Sequence, residues 1–334
     1  MDDRIRIYQT IAVNLTFCFV LVCDMFGTGY FFIPGTETCL KLSGYARLDI
    51  QGGKALGRDT NLDGEGDAFD ARARSMIGFS TASDTEYGPL KTYTEIRLNY
   101  HGGYMGPNFS SSGYDAGTDI FLYNAYIDYA GFRLGKGESA FTTFTGYAGN
   151  VIQDWVVRYG SFETNFVSYN YDSGTGITGM ISLEDDQGQG RGYMPDMTVG
   201  AGYSAGIYGF RVVAGYDESM REGAVKARVD GSLGGFTAFL MAGWNTDGDR
   251  GPNRFATWSG DTAVWGGVSA PVAEKVTFNT QLSWDQAENF AAVANVNFNV
   301  VKGFDLTPEV MYMENFDKGG KSSWGSMLRA QRSF

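Results

Sequence analysis

The sequence predicts an all-β protein, a transmembrane antiparallel β-barrel of about 16 strands. Three observations favour this class. Glycine is abundant and proline is rare, with 47 Gly against 7 Pro, and 15% of the residues are aromatic, which is typical of turn-rich β-sheet proteins. Polar and apolar residues alternate along segments of strand length. The connections between those segments alternate between short and long.

The alternation gives each predicted strand one polar face and one apolar face. Along 41–51 and 91–99, charged and polar residues occupy most of the odd positions, and along 295–299 asparagine occupies every odd position. Asparagines at that spacing are unsuited to a dry core, because buried amides without partners cost free energy. A water-filled lumen accounts for them, and also for a mean hydropathy of only -0.21. The last strand ends on Phe334, an aromatic residue suited to the girdle at a membrane interface.

A β-sandwich also alternates in this way, but it does not require short and long connections in turn. Two connections that should be long, 218–222 and 286–288, are short, but the alternation along the rest of the chain is kept. The strand count is even and large enough to enclose an aqueous channel, with tight turns in the periplasm and long loops outside the cell. The predicted short connections are 83–87, 130–131, 173–176, 205–206, 234–235, 271–273 and 301–303, and the long ones are 52–68, 102–119, 137–161, 185–194, 245–257 and 317–323.

Composition and motifs exclude other functions. A net charge of -12 disfavours a nucleic-acid partner, because phosphate contacts require basic patches. Residues 202–206 match the G-x-S-x-G pattern of serine hydrolases, but they run into a predicted hairpin turn and the chain has a single histidine, His101. We therefore expect no enzyme.

An acidic stretch at 59–70 resembles a calcium-binding loop, and calcium is the one cofactor that the sequence suggests. Asp59, Asn61 and Asp63 take its alternating first positions, and Asp67 takes the ninth. The flanking segments are predicted strands rather than helices. A solvated acidic outer loop is the alternative interpretation.

The N-terminal region departs from the barrel pattern. Residues 1–21 include an apolar run that is consistent with an atypical export signal, a mis-assigned start codon or a segment packed near the barrel. The three cysteines, Cys18, Cys23 and Cys39, also lie here. A bridge between Cys23 and Cys39 would require an oxidising compartment. Unrelated free thiols are the alternative, because spacing alone does not determine pairing.

Four segments resemble alphaproteobacterial porins of the Rhizobiales type. Residues 22–49, with the two cysteines, resemble the opening of the mature family members, and 328–334 look like the family's end. Residues 131–136 and 162–169 look like the strands that flank its inward-folded third loop. The likeness extends over nearly all of 22–334 and fails before Val22.

The resemblance implies a homotrimeric outer-membrane porin for passive diffusion of small hydrophilic solutes and ions, surrounded by outer-membrane lipid and lipopolysaccharide. It also implies a Cys23–Cys39 disulfide, so that the chain divides into an N-terminal segment 1–21, a disulfide-closed segment 22–39 and a barrel 40–334. Cys18 inherits no partner. The resemblance also implies that Phe334 is the terminal aromatic residue that the outer-membrane assembly machinery recognises.

A channel of this width needs a constriction, whose charges then set its selectivity. The long connection 137–161 is the candidate, and the resemblance favours its inward fold over an ordinary surface loop. Glu138 and Asp154 are its predicted pore charges. Its aromatic residues are expected to pack against the wall: Phe141, Phe144, Tyr147 and Trp155.

The opposite charges are predicted to be Arg47, Arg72, Arg74 and Arg97, on the polar faces of early strands. An arginine that faces lipid near mid-membrane would cost roughly 2–4 kcal/mol, so these side chains should face the lumen. There they either create a field across the constriction or neutralise nearby carboxylates in cross-strand ladders. The acidic total favours a weak preference for cations.

A surface-binding barrel, an adhesin whose long loops grip other surfaces, is the alternative function. Single-channel conductance separates the two, because an adhesin barrel plugged by side chains would show no steady open steps.

Overall fold

The computed structural model describes residues 22–53, 55, 69–101, 117–186, 193–247, 253–316 and 322–334. A 3-10 turn spans Asp24–Phe26 and one short helix, α1, spans Ala140–Thr143. Within the described ranges, no helix is long and apolar enough to cross a membrane. The strands are β1 Phe31–Phe32, β2 Cys39–Gly52, β3 Phe69–Ser83, β4 Leu90–His101, β5 Gly117–Tyr129, β6 Phe132–Glu138, β7 Glu163–Asp172, β8 Ile177–Glu184, β9 Asp196–Ala205, β10 Tyr208–Asp217, β11 Glu222–Leu233, β12 Phe236–Asn245, β13 Thr262–Ala273, β14 Val276–Asp285, β15 Phe290–Val301, β16 Phe304–Glu314 and β17 Ser323–Ser333.

Strands β2 to β17 form one closed barrel. Each strand pairs antiparallel with the next along the chain, and β17 pairs back with β2. The barrel therefore has 16 strands, which confirms the predicted fold class. Closure leaves no open edge between the first and last strands, which a membrane wall requires because lipid offers no hydrogen bonds.

The alternation of side chains also holds. On β12 and β16, Leu240 and Val310 point outward and are exposed, while Gln281 on β14 and Asn295 on β15 point into the lumen and are buried there by neighbouring polar groups. Arg332, which interrupts the apolar face of β17, donates from Nη1 to the carbonyl of Lys302 at 3.1 Å, in the turn below.

The seam between β17 and β2 is held by a charge cluster in the lumen. Arg329 donates from Nε and Nη2 to the two carboxylate oxygens of Asp49 at 2.7 and 3.0 Å. Arg72 on β3 donates to the same carboxylate at 2.7 Å. Asp49 is fully buried, so these charge-assisted bonds replace the water that its carboxylate lost on folding.

The segment before the barrel is tied to β2. Strand β1 pairs with the start of β2, where Phe31 lies opposite Leu40 and Phe32 opposite Cys39. Cys23 and Cys39 form a disulfide, which confirms the pairing implied by the resemblance. Residues 1–21, with Cys18, lie outside the described residues.

One predicted turn is wrong. The connection expected at 271–273 belongs to β13, and the turn follows it at Glu274 and Lys275. The register between β13 and β14 shifts between Pro271 and Ala273. Proline lacks the N–H that a regular ladder needs, and a bulge accommodates it within a strand.

Candidate pore constriction

The connection between β6 and β7, residues 139–162, crosses the lumen. It begins with α1, where the side chain of Ser139 accepts a hydrogen bond from the N–H of Phe141 at 3.2 Å. We call this segment the third connection. Its inward fold confirms the expectation from the sequence.

Lumen-facing side chains of the far wall hold the third connection by its backbone. Lys226 on β11 donates to the carbonyl of Tyr159 at 2.7 Å, and Trp265 on β13 donates to that of Val157 at 2.8 Å. Glu309 on β16 accepts from the N–H groups of Ile152 and Gln153. Anchors on strands spread around the barrel fix the height and direction of the segment.

A second segment, residues 253–261 after β12, also folds inward, which the sequence did not predict. Phe255 packs against Phe141 of the third connection, with ring centroids 5.3 Å apart. The hydroxyl of Thr257 accepts from the N–H of Gly160 at 2.9 Å. The apolar residue Phe255 within the predicted outer loop 245–257, with Trp258 directly after that loop, was the signal that could have revealed this.

Arg254 fixes the second inward segment to the wall. Its side chain is 3% exposed and lies 2.9 Å from Asp196 and 3.5 Å from Glu184, both fully buried. Glu184 also accepts from the N–H of Ala140 at 2.9 Å. The base of the third connection and the second inward segment therefore share one charged network.

The two inward segments and the wall from β8 to β13 enclose an apolar core. This core fills the space between these strands and the two inward segments. The buried core consists of Phe141, Ala148, Val157, Tyr159, Met180, Val213, Ala224, Met241, Phe255, Ala256, Trp258, Ala263 and Trp265.

The four predicted arginines all point into the lumen, but they differ in their partners. Arg72 pairs with Asp49 at 2.7 Å, and Arg97 pairs with Glu95 at 2.7 Å. The Arg97 guanidinium also lies 3.1 Å from the ring centroid of Tyr123, an arrangement that favours a cation. The charges of these two arginines are therefore neutralised by nearby carboxylates, which was one of the two alternatives.

The other two arginines bind neutral amides. Arg47 donates to Gln331 at 2.7 Å, and Arg74 donates to Asn99 at 2.6 Å. With the described carboxylates, neither makes an ion pair. Their charges are therefore available to the lumen, as the field interpretation requires.

Of the two predicted acidic residues, Glu138 immediately precedes the third connection and Asp154 lies within its second half. Glu138, at the end of β6, accepts from the hydroxyls of Tyr123 and Tyr147. Asp154 accepts from the hydroxyl of Tyr159 at 2.9 Å. Burial raises the pKa of Asp154 to about 7, with the Tyr159 bond opposing the rise and the nearby Glu309 charge adding to it.

The aromatic residues of the third connection divide into two pairs. Phe141 is fully buried, and the ring of Phe144 packs over Gly200 on β9, as expected. Tyr147 and Trp155 are 47% and 48% exposed, so the expectation that they pack against the wall is wrong. They lie on the side of the segment that faces water, where the Tyr147 hydroxyl reaches Glu138.

The suggested calcium ligands Asp59, Asn61, Asp63 and Asp67 lie outside the described residues. Within the part of the chain that the structure describes, no cluster of His, Cys, Asp or Glu has the arrangement of a metal site.

A closed membrane barrel with a polar lumen and an inward-folded connection defines the class of outer-membrane channels. A family model described as a porin subfamily matches residues 16–332, and the chain belongs to this family. The protein is a general porin of the outer membrane.

Individual relatives agree with this assignment. Porin Omp2a of Brucella melitensis is 39% identical over 342 residues, covering 95% of this chain and 90% of the relative. The outer membrane channel DcaP of Acinetobacter baumannii has the same fold, with a TM-score of 0.65 at 17% identity over 91% of this chain and 99% of its own. OmpT of Vibrio cholerae, described in a trimer form, gives a TM-score of 0.57 at 7% identity over 90% of this chain and 100% of its own.

Proposed function

We propose that the third connection and the arginine wall form the constriction through which small hydrophilic solutes and ions diffuse. Glu138 and Asp154 supply its acidic side. Arg47 and Arg74, which bind neutral amides, supply its basic side together with the ion-paired Arg72 and Arg97. The observation that carries this is the course of the third connection, which is held across the lumen by side chains of β11, β13 and β16.

The cavity beside the arginine wall supports this path. A space of about 490 Å³ lies between the tip of the third connection, at Asn150 and Ile152, and the wall formed by the late strands and β2. Arg47, Arg329 and Gln331 line it together with asparagines of β14 and β15. Polar walls of this kind suit hydrated solutes, because the lining groups replace water molecules as the solute passes.

The acidic total of the chain favours a weak preference for cations, with Arg47 and Arg74 limiting it. Reversal potential across a planar bilayer in a salt gradient tests this, and a clear anion preference would contradict it. Steady single-channel steps from the purified protein test the open path itself. A barrel without such steps would contradict the proposed constriction.

The assembly is proposed to be a homotrimer embedded in outer-membrane lipid and lipopolysaccharide. The trimer form of OmpT supports this by analogy of fold. The protein is proposed to have no catalytic role: Ser204, of the hydrolase-like motif, lies near the end of β9 and is followed by the turn at Gly206 rather than by a helix. Native mass spectrometry of the detergent-extracted protein would report the subunit number and any retained lipid.

A further inference from the structure

A surplus of positive charge lies in the lumen on the wall opposite the proposed constriction arginines. Arg211 on β10 and Arg228 on β11 are direct cross-strand neighbours. Asp230 is the one described carboxylate within ion-pair distance of either. It lies 2.7 Å from Arg228 and 3.6 Å from Arg211, so one carboxylate serves two guanidinium groups. Lys226, buried nearby, donates to a neutral carbonyl and does not reduce the surplus.

The two arginines differ in how many protein groups their guanidinium groups contact. Arg228 donates to Asp230 and to the carbonyl of Tyr147, and its guanidinium lies 4.3 Å from the ring centroid of Phe239. Arg211 makes no hydrogen bond to any residue in the described ranges, and its side chain is 35% exposed. Apart from the ion pair of its Nη2 with Asp230 at 3.6 Å, its donors therefore have no acceptor among the described residues.

Arg211 borders a cavity with an aromatic wall. The cavity measures about 590 Å³ and lies between the first half of the third connection and strands β5 to β8. Tyr126, Phe144 and Phe166 contribute rings to its lining, and Asn124 and Thr178 contribute polar groups. Arg133, Glu138 and Asp172 also line it, so the cavity carries charges of both signs. Its volume is in the range of small-molecule sites, in which a few polar groups fix the orientation of the ligand.

We propose that Arg211 and this cavity form a subsite for aromatic carboxylates. A guanidinium binds a carboxylate through two parallel N–H bonds, and the lining rings stack against an aromatic body. Benzoate combines both features, acetate has only the charge and benzyl alcohol has only the ring. The inference rests on the proposed function, in that the lumen is the path that brings solutes to the cavity.

Calorimetric titration of the detergent-purified protein tests the subsite directly. Saturable binding of sodium benzoate is expected, with weaker binding of acetate and of benzyl alcohol. Arg211→Gln should weaken benzoate binding about tenfold, because it removes the charge-assisted bonds. Phe166→Leu, which keeps an apolar side chain but removes the ring, should weaken benzoate binding without affecting acetate.

Arg332→Gln is the matched control. It makes the same chemical change on the outward face of β17 and should leave benzoate binding at the wild-type value. Heat-dependent migration on gels shows whether each variant is a folded barrel, and Arg211→Lys, which keeps the charge, should retain part of the affinity. The proposal is overturned if benzoate binds the wild-type protein no more tightly than acetate does. It is also overturned if benzoate binds folded Arg211→Gln as tightly as it binds the wild type.

Single-channel recording separates this proposal from the proposed function. Benzoate should reduce the wild-type current in a saturable manner and reduce the Arg211→Gln current less. Steady conductance without saturable benzoate binding overturns the subsite alone. Saturable binding without any conductance supports the subsite and contradicts the open path.

Discussion

Gly44 and Phe334 exchange a pair of backbone hydrogen bonds across the seam of the barrel. The N–H of Phe334 donates to the carbonyl of Gly44 at 3.0 Å, and the N–H of Gly44 donates to that of Phe334 at 3.2 Å. The phenyl ring lies over the space where Gly44 has no side chain. A Cβ at that position would lie 2.8 Å from the ring and would collide with the carbonyl oxygen of Met76.

Gly44→Val is therefore expected to weaken closure of the barrel. The new side chain collides with backbone as well as with the ring, and such overpacking costs about 1–3 kcal/mol. We expect less folded barrel in the outer membrane, measured by heat-dependent gel migration. Gly231→Ala is the control, because a Cβ on Gly231 meets open space. Equal amounts of the two variants would refute the role of this contact.

Replacing Arg47 and Arg74 together with glutamine should increase the preference for cations. These side chains contact neutral amides, so their removal changes the charge of the lumen without freeing a bound carboxylate. We expect the cation-to-anion permeability ratio to rise roughly twofold or more, measured by reversal potential. The double lysine variant keeps both charges and should behave like the wild type. An unchanged ratio in the glutamine variant would exclude these residues from the constriction.

Selectivity should depend on pH through Asp154. Burial raises the pKa of this carboxyl to about 7, so it is neutral below that pH and ionised above it. Cation preference should therefore increase as the pH rises through about 7. The folded protein holds this proton over a range in which the unfolded chain has lost it, so the contribution of Asp154 to stability falls as the pH rises towards 7. Reversal potentials from pH 5 to 9 would show the step, and Asp154→Asn should abolish it.

Arg254→Met should release the second inward segment. The substitution leaves the buried carboxylates of Glu184 and Asp196 without their cationic partner, a change that typically costs about 3–5 kcal/mol. We expect a lower unfolding temperature and a larger, noisier single-channel current, because Phe255 no longer packs on the third connection. Arg254→Lys should be milder. A wild-type current in a folded Arg254→Met barrel would show that the segment does not depend on this network.

The strands were predictable because two solvents act on every strand independently. Lipid outside and water inside require polar and apolar residues to alternate along every strand, so that even a short segment such as residues 295–299 shows the pattern. The second inward segment was not predictable in this way. Phe255 and Trp258 are buried by residues of the third connection and of distant strands, and nothing in their local sequence specifies that contact.

The partners of the arginines depend on register, which alternation alone does not determine. Arg47 and Arg72 lie on equivalent polar faces in the sequence. In the barrel, Arg72 lies opposite Asp49, whereas Arg47 lies between Arg74 and Gln331 on the neighbouring strands. The sequence therefore predicted that both face the lumen, but not which of them has its charge neutralised.

The cluster around Asp49 also selects the correct closure of the ring. Asp49 and Arg329 are 280 residues apart, so their strands meet only when the rest of the wall is in place. A slip by one residue would turn Arg329 towards lipid. A slip by two would keep it in the lumen but place it opposite Arg47 or Gln51 instead of Asp49. The buried carboxylate therefore favours the observed register of the seam, because in that register both of its cations can bind it directly.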